Sequence, residues 1–398
     1  MKLGRKSIVL EKRRAQRRGT LGLVLSGGGA RGAFQVGVYQ RLLDDPRFMH
    51  GPGVLSGTSA GGINAALIAA GKSPREIMDF WHGIALDPPV IASDRFFRDL
   101  VATSGRLTWG ELSRWLSSAA PWRAFLQRSR NHFPPRRGSL LAAWVEYLLT
   151  TRFELVSKLL QGIGEPFLAD TAPLRRRLVE AFGGERVSTR LRLAINTVDA
   201  HTGKLVRFVN HDTAFTRAPD YVIVDAITVD MVLASASIPL LFPPVEIGPH
   251  LLWDGGLLVN TPLAPVVALG ADEIVTVLVT EPPDSIRGPF VHFGRAVERT
   301  ADSFLENAYN IDRKLLLERN RVARIEGNLY RDVNLYEVVR PPRDATFNAG
   351  SYLYFDREVI ARMHRLGIEA ADAWLAAGPR LDRLESSDDP RSDAQLPA

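Results

Sequence analysis

The chain has 398 residues, of which 45% are apolar and 24% are charged, so it can bury a sizeable core. It contains no cysteine, which excludes disulfide scaffolds, cysteine-ligated metal sites and thiol nucleophiles. Its 33 glycines and 25 prolines follow no fixed period, which excludes collagen-like and low-complexity chains.

The net charge of +6 is concentrated at the N-terminus. Residues 1–20 carry eight basic side chains and one acidic side chain, whereas the rest of the chain is close to neutral. A nucleic-acid-binding protein is expected to carry its positive charge on a folded face, so nucleic acid is not an expected partner. The sequence predicts a disordered basic tail, and attraction to anionic lipid surfaces is its functional interpretation.

No signal peptide and no transmembrane span are expected. The apolar run at 8–10 is too short for a signal peptide and is followed at once by charged residues. The uncharged stretch Phe48–Gly71 is long enough to cross a bilayer, but it contains six glycines together with His50 and Asn64. Such a stretch is typical of a turn-bearing core segment, so we expect a cytoplasmic or membrane-peripheral protein.

The elements expected in chain order begin with a buried strand at 21–25, a glycine loop and a helix from Ala33. A second short strand at 54–57 then leads into a small-residue helix that ends near Gly71. This repeated strand–turn–helix pattern predicts a three-layer α/β/α fold with a central, mainly parallel sheet. Further strands are expected at 191–195, 205–209, 251–253, 273–279 and 335–339, and helices at 224–237, 296–324 and 356–376.

Residues 84–180 interrupt the sheet pattern and are expected to form a helical insertion that acts as a cap or faces the membrane. They hold four of the seven tryptophans, and the part between 121 and 145 has five arginines and no acidic residue. We expect residues 107–149 to touch lipid, although the tryptophans suit the core of a helical subdomain equally well. The expected division is a basic tail at 1–20, a catalytic core at 21–83 and 181–280, the insertion at 84–180, C-terminal helices at 281–378 and a disordered tail at 379–398.

The strongest motif is Gly57-Thr58-Ser59-Ala60-Gly61, which fits the G-x-S-x-G pattern of a nucleophile elbow. In such an elbow the serine occupies a strained strand-to-helix turn, so its neighbours must be very small. Ser59 is therefore the candidate nucleophile, at a helix start whose dipole favours negative charge. The alternative is a Gly/Ser-rich turn without chemistry.

The run Gly27–Gly32, with the sequence GGGARG, lies between the first strand and the first helix. A P-loop would need Lys and Ser or Thr after the last glycine, and a dinucleotide loop would need an acidic residue at the end of the next strand. The chain has neither, so a nucleotide site is only the alternative interpretation. The amides of Gly28 and Gly29 and the charge of Arg31 suit an oxyanion hole.

Asp254 follows a predicted strand and precedes Gly255 and Gly256. This pattern suits a carboxylate held at the edge of a sheet, although a simple Asp-Gly turn would produce it too. None of the eight histidines lies in a comparable setting, but chain order allows His292 or His364 to complete an α/β-hydrolase triad. Without a histidine, Asp254 would have to act directly as the base for the serine.

Together the glycine loop, the serine motif and the Asp-Gly-Gly segment resemble, in type, order and spacing, the motifs of the patatin-like phospholipase family, of the bacterial acyl hydrolase type. The segment Ala234–Pro239, with Phe242-Pro243-Pro244, is similar to the stretch before that family's aspartate. The resemblance runs from about Gly22 to about Gly270. It implies a Ser–Asp dyad without a catalytic histidine, metal or cofactor, and hydrolysis of glycerolipid acyl esters through an acyl-enzyme.

The resemblance also implies roles for the motif residues. The expected catalytic residues are Ser59 and Asp254, the expected oxyanion-hole residues are Gly27, Gly28, Gly29, Arg31, Gly32 and Ala60, and the expected motif glycines are Gly57, Gly61, Gly255 and Gly256. The predicted function is a lipid acyl hydrolase of the phospholipase A or lysophospholipase type, with a lipid substrate and a peripheral membrane contact. The alternatives are an acyltransferase on the same dyad, an esterase with a Ser-Asp-His triad, and a lipid-binding scaffold without activity.

Overall fold

The computed structural model describes residues 19–117, 123, 153–213, 218–282, 293–326, 331–344, 346–347 and 349–383. The basic tail up to residue 18, His292 and most of the Trp/Arg-rich stretch lie outside the described residues. The chain divides into two compact units. The first unit comprises residues 1–89, 171–239 and 244–398, and the second comprises residues 90–170 and 240–243. The second unit corresponds to the insertion that the sequence predicted at 84–180.

Each expected strand has a counterpart in the structure, but the third, fourth, seventh and eighth strands of the described residues were not expected. The strands are β1 (Leu21–Leu25), β2 (Val54–Gly57), β3 (Ile91–Ala92), β4 (Ala169–Asp170), β5 (Arg192–Asp199), β6 (Leu205–Val209), β7 (Tyr221–Ile223), β8 (Val245–Ile247), β9 (His250–Asp254), β10 (Glu273–Val277) and β11 (Asn334–Leu335). The strand expected at 335–339 is regular only in β11, and it is followed by an isolated parallel bridge between Val277 and Val339. The Tyr336 amide donates to the Ile274 carbonyl and the Val339 amide to the Thr276 carbonyl, so three residues here oppose two on β10 and the extra residue interrupts the regular pairing.

Within the described residues, the first unit holds a nine-stranded mixed sheet in the order β11-β10-β1-β2-β5-β6-β7, with β9 paired to β5 and β8 paired to β9. The strands from β11 to β5 run parallel. Strand β6 pairs antiparallel with β5, and β9 does so too, so that Asp254 lies opposite Thr197. The predicted three-layer architecture with a mainly parallel sheet is therefore confirmed.

Helices of the first unit cover both faces of this sheet. Across both units, the helices in the described residues are α1 (Gly32–Leu43), α2 (Ala60–Ala69), α3 (Pro74–Leu86), α4 (Asp94–Ser117), α5 (Phe153–Gln161), α6 (Ala172–Phe182), α7 (Val229–Ser235), α8 (Leu263–Ala268), α9 (Phe293–Glu326) and α10 (Arg357–Ala376). Local signals set their starts: the Ser73 hydroxyl and the Glu76 carboxylate form a reciprocal capping box at α3. No helix among the described residues is long and apolar enough to cross a membrane.

Alternation along the buried strands creates two apolar layers. In β1, Leu23 and Leu25 belong to one core cluster, whereas Val24 between them belongs to the other. The first cluster receives side chains from α1, α2, α3, α6, α7 and α10, and the second receives them from α8 and α9. Strands that are covered on both faces read as continuous apolar runs, which is why β1 and β2 were recognisable in the sequence.

Helices α1 and α10 cross at a point where only glycine fits. A Cβ atom on Gly37 would lie 2.1 Å from the carbonyl oxygen of His364, and one on Gly367 would lie 2.1 Å from that of Phe34. These two glycines let the backbones approach closely, so α10 packs directly on the helix that follows the glycine loop.

The second unit contains helices α4 and α5 and the antiparallel pair β3–β4. The Thr103 hydroxyl on α4 donates to the Gly162 carbonyl across 3.0 Å, and the Asp99 carboxylate accepts from the Gly164 amide at the same distance. These bonds fasten α4 to the segment that follows α5. Trp109 on α4 is 72% exposed and is not a core residue, whereas Trp122 and Trp144 lie outside the described residues.

Candidate active site

Ser59 lies on the turn between β2 and α2 in a conformation that serine rarely adopts. Its φ is 56° and its ψ is −127°. The turn closes only because glycine flanks it on both sides. A Cβ atom on Gly57 would lie 2.2 Å from the Gly61 carbonyl oxygen, and one on Gly61 would lie 2.2 Å from that of Leu25. The strain and the two close approaches are the features that a nucleophile elbow requires.

Hydrogen bonds from distant parts of the chain hold this turn. The Ser59 amide donates to the Ser235 hydroxyl across 3.0 Å, and that hydroxyl donates to the Asn196 carbonyl across 2.6 Å. The Thr58 hydroxyl donates to the Val259 carbonyl across 3.0 Å. Ser235 was not singled out by the sequence, although it lies in the family-like segment Ala234–Pro239, where a small polar residue interrupts an apolar helix.

Asp254 is the last residue of β9 and is only 4% exposed. Its carboxylate accepts a hydrogen bond of 2.7 Å from the Gly256 amide, and its own amide donates to the Ser237 carbonyl across 2.9 Å. The residue after it must be glycine, because a Cβ atom on Gly255 would lie 2.4 Å from the Asn196 carbonyl oxygen. Asp254 is therefore held through both its carboxylate and its backbone amide.

Ser59 and Asp254 meet at the ends of β2 and β9. The Ser59 hydroxyl lies close enough to the Asp254 carboxylate to lower the pKa of that group. Burial acts in the opposite direction and is the larger effect, so the pKa of Asp254 is raised to about 7. A base whose pKa lies near neutrality is well suited to accept a proton from a hydroxyl group.

The glycine loop passes directly beside the serine. A Cβ atom on Gly27 would lie 3.1 Å from the Cβ atom of Ser59 and 2.4 Å from the side-chain oxygen of Asn260. The Gly27 amide donates to the Asn260 carbonyl across 3.0 Å, so it is engaged within the protein. The structure thus brings the loop, the serine and the aspartate together. One of the amides expected at the oxyanion hole, that of Gly27, is already bonded to the Asn260 carbonyl.

The next glycines of the loop are required by close packing. A Cβ atom on Gly28 would lie 2.2 Å from a methyl group of Val279, and one on Gly29 would lie 1.9 Å from the Tyr352 carbonyl oxygen. Gly29 also has a φ of +56°, a region that favours glycine. Gly32 lies at the start of α1, where a Cβ atom would lie 2.5 Å from the Trp81 ring.

Arg31, expected to add positive charge at the oxyanion, is 1% exposed and contacts the C-terminal part of the chain. Its guanidinium donates to the Ser351 hydroxyl across 2.9 Å and to the Val279 carbonyl across 3.1 Å. It also pairs with Asp302 at 3.8 Å and lies 3.7 Å from the centroid of the Tyr352 ring. These contacts show that Arg31 anchors the glycine loop to later segments.

The histidines considered for a triad have other partners or lie outside the described residues. His364 on α10 is bonded to the Gln40 side chain at 2.9 Å, and burial lowers its pKa. His250 pairs with Asp199 at 2.8 Å, an acidic partner that was not foreseen from the sequence. It stands at the opposite end of β9 from Asp254, roughly 13 Å away at the usual rise per residue.

The fold and the site together define a three-layer α/β/α protein with a serine on a strained turn beside a buried aspartate. The model of the family described as patatin-like phospholipase matches residues 23–267, more than half of the chain. The chain therefore belongs to the patatin-like phospholipase family, which confirms the resemblance. Membership of this family implies action on lipid esters.

Solved structures similar to this chain are distant from it. VipD from Legionella pneumophila is 16% identical over 92% of this chain and 68% of its own, with a TM-score of 0.39. The type III effector ExoU is 18% identical over 90% of this chain and 53% of its own, with a TM-score of 0.35. The ExoU–SpcU complex from Pseudomonas aeruginosa has a TM-score of 0.31 at 16% identity, over 94% of this chain and 56% of that one.

The chain spans about half the length of the ExoU chains that it matches. A comparison with curated proteins found no match.

Proposed function

We propose that the protein hydrolyses acyl esters of glycerolipids through an acyl-enzyme on Ser59, with Asp254 as the general base. The observation that carries this proposal is the strained Ser59 turn beside the buried Asp254 carboxylate, whose pKa burial raises to about 7 and the serine hydroxyl lowers. Near neutral pH a large fraction of this carboxylate is ionised and able to accept a proton. The strained serine supports the proposal, because a scaffold without activity has no need of such a conformation.

In the acylation step, the Asp254 carboxylate accepts the proton of the Ser59 hydroxyl while the serine oxygen attacks the ester carbonyl carbon. The electron pair of the carbonyl moves onto its oxygen, which becomes the oxyanion of a tetrahedral intermediate. Collapse of this intermediate breaks the bond to the alcohol, which leaves with the proton held by Asp254. The products are the acyl-enzyme and the free alcohol or lysolipid.

In the deacylation step, Asp254 accepts a proton from a water molecule, whose oxygen attacks the acyl carbonyl. Collapse of the second tetrahedral intermediate releases the fatty acid and returns the proton to the oxygen of Ser59. One carboxylate thus serves as base and then as acid in each half-reaction, and no further co-reactant is needed.

The proposed oxyanion hole consists of the amides of Gly28 and Gly29 and the amide of Ala60. The loop glycines are favoured because the Gly27 amide already donates to the Asn260 carbonyl. Ala60 is the first residue of α2, so its amide lies in the first turn, where amides lack a partner within the helix. Arg31 acts in this proposal as a positioning residue, because its guanidinium fixes the loop from behind.

We further propose a peripheral contact with anionic membranes through the tail at 1–20 and the Trp/Arg-rich stretch at 107–149. The charge of the tail and the exposure of Trp109 support this contact. Binding to phosphatidylserine-containing vesicles should weaken with added salt and with deletion of residues 1–18. Equal binding of both proteins to neutral and anionic vesicles would count against it.

A fluorophosphonate probe, which reacts with activated serines, tests the nucleophile directly. Ser59→Ala should abolish labelling and lower phospholipid hydrolysis by several orders of magnitude, up to ~10⁶-fold. Ser56→Ala is the matched control, because Ser56 is buried on β2 three residues earlier and should leave labelling unchanged. Labelling of Ser59→Ala at another serine would refute the assignment, and product analysis with an added alcohol would detect acyl transfer.

A further inference from the structure

A cavity of about 830 Å³ lies in the first unit, and none of its lining residues belongs to the proposed catalytic site. Its walls come from α9, from the segment 337–340 and from the segment 380–383. The last two segments pair along their backbones, because the Glu337 amide donates to the Arg380 carbonyl and the Asp382 amide donates to the Leu335 carbonyl. Two of the three walls of the cavity are therefore fixed to each other.

The lining of the cavity is rich in arginine. Of the described residues, four arginines and three carboxylates line it, which leaves a net positive charge. The arginines are Arg313, Arg340, Arg380 and Arg383, and the acids are Glu306, Glu337 and Asp382. Ion pairs join Arg313 to Asp382 at 2.5 Å, Arg340 to Glu306 at 2.9 Å and Arg380 to Glu337 at 3.8 Å, so each acid already has a cation.

Two buried donors at this cavity have no acceptor among the described residues. They are the Tyr309 hydroxyl, on a residue that is 2% exposed, and the Nη1 atom of Arg340. Glu306 is engaged elsewhere, since one of its oxygens accepts from Arg340 Nη2 and the other from the Thr280 hydroxyl, and neither oxygen bonds the two donors. Buried donors without partners are costly, so their presence together at one cavity indicates an absent acceptor.

The chemistry of the missing acceptor follows from these groups. Burial raises the pKa of Tyr309, so its hydroxyl stays protonated and acts as a donor. Guanidinium groups bind phosphate with paired hydrogen bonds, and a tetrahedral phosphate accepts from several directions at once. The volume is within the range of small-molecule sites and is too large for the ion alone, which favours a phosphate carried on an organic group.

We propose that this cavity is a binding site for a phosphomonoester, and that Tyr309 and Arg340 donate to its phosphate oxygens. The phosphate group has two possible sources, a soluble phosphomonoester or the headgroup of a lipid such as phosphatidic acid. The proposal stands independently of the proposed hydrolysis, because it concerns binding and uses none of the catalytic groups.

The test is calorimetric titration of the full-length Ser59→Ala protein, which cannot turn over a lipid by the proposed mechanism, with glycerol 3-phosphate. The same protein is examined for binding to phosphatidylcholine vesicles with and without phosphatidic acid. We expect Tyr309→Phe in the same background to weaken binding about tenfold, because it removes one donor and keeps the ring. Arg321→Gln is the matched control, since Arg321 lies on α9 and pairs with Glu318 outside the cavity.

The melting temperature of the protein without ligand provides a second, independent measurement. Without ligand, Tyr309→Phe should melt at a higher temperature than its parent, because a buried hydroxyl without a partner is removed. Selective loss of glycerol 3-phosphate binding identifies a soluble ligand, and selective loss of vesicle binding identifies a lipid headgroup. The basic tail is the same in both proteins, so it does not contribute to this difference. Absence of binding in both arms, or equal binding by Tyr309→Phe and its parent, would overturn the proposal.

Discussion

The Ser59 amide donates to the Ser235 hydroxyl across 3.0 Å, and this bond ties the turn after β2 to the end of α7. Ser235 donates in turn to the Asn196 carbonyl on β5, so three separate elements converge on one hydroxyl. The strained backbone of Ser59 is thereby held by a residue that lies 176 positions later in the chain.

Replacing Ser235 by alanine should loosen the turn. The change leaves the Ser59 amide without its acceptor, so we expect a loss of about 1–3 kcal/mol in the free energy of unfolding. Hydrolysis should fall by about 10²-fold, because a small displacement of the nucleophile is costly. Ser237→Ala is the control, since its buried hydroxyl donates to the Leu233 carbonyl instead. Equal activity of the two variants would show that Ser235 does not position the nucleophile.

The conformation of Ser59 predicts an unusual order of stability between two inactive variants. Because its φ is 56°, Ser59→Gly should be about 1 kcal/mol more stable than Ser59→Ala, which keeps the strain of a Cβ atom. At Ser56, within β2, the order should be reversed, since glycine weakens a strand. Urea denaturation of the four variants measures both differences, and the same order at both positions would contradict the inferred strain.

Asp254 should make the folded protein less stable as the pH rises. Its pKa is about 7 in the folded state and near 3.8 when unfolded, so between these values the folded state retains a proton that the unfolded state releases. The free energy of unfolding therefore decreases from about pH 4 to about pH 7 through this group. At pH 8, Asp254→Asn should be a few kcal/mol more stable than the wild type, although inactive. Denaturation at pH 4 and pH 8 tests this, and a variant less stable than the wild type at pH 8 would refute it.

Hydrolysis should increase with pH through about 7, because Asp254 must be ionised to accept the serine proton. A histidine base would produce a rise near 6.5, so the position of the rise does not separate the dyad from a triad. The dyad and the triad are distinguished by measuring hydrolysis by His250→Ala, His292→Ala, His364→Ala and Asp254→Asn in one assay. We expect the histidine variants to retain activity and Asp254→Asn to lose nearly as much as Ser59→Ala. A histidine variant that folds but has no activity would show that the site is a triad and not a dyad.

The glycine loop should tolerate no side chain at Gly29. Its φ is +56° and a Cβ atom would lie 1.9 Å from the Tyr352 carbonyl oxygen, so Gly29→Ala should cost at least about 2 kcal/mol and displace the proposed oxyanion amides. Gly71→Ala is a matched control, because its φ is +79° and no atom lies near its Cβ position. It should cost about 1 kcal/mol and leave hydrolysis unchanged. Full activity in Gly29→Ala would exclude the loop from catalysis.

Residues whose identity is dictated by local sterics were predictable from the sequence. Gly57 and Gly61 are needed to close a turn within five residues, and the apolar strands β1 and β2 are covered on both faces. The start of α3 carries an equally local signal, a serine before Pro74 with Glu76 three residues later, but residues 74–83 were not assigned a helix.

Residues whose roles depend on distant partners were not predictable in the same way. The partners described above for Arg31 lie 248 or more positions later in the chain, and nothing near Arg31 indicates them. The pairing of His250 with Asp199 arises from the antiparallel register of β9 on β5, which periodicity does not reveal. Local patterns therefore identified the catalytic candidates, while the network that holds them required the fold.

The position of the Arg31 partners along the chain determines when, during synthesis, the glycine loop can be anchored. The partners described for its guanidinium lie between Val279 and Tyr352, beyond the family-matched segment that ends at residue 267. A ribosome therefore releases Ser59 and Asp254 well before the groups that hold the glycine loop. A nascent chain at that stage carries the proposed nucleophile and base without a fixed glycine loop, so we expect the proposed lipid cleavage to begin only after the C-terminal segments have been made and have docked.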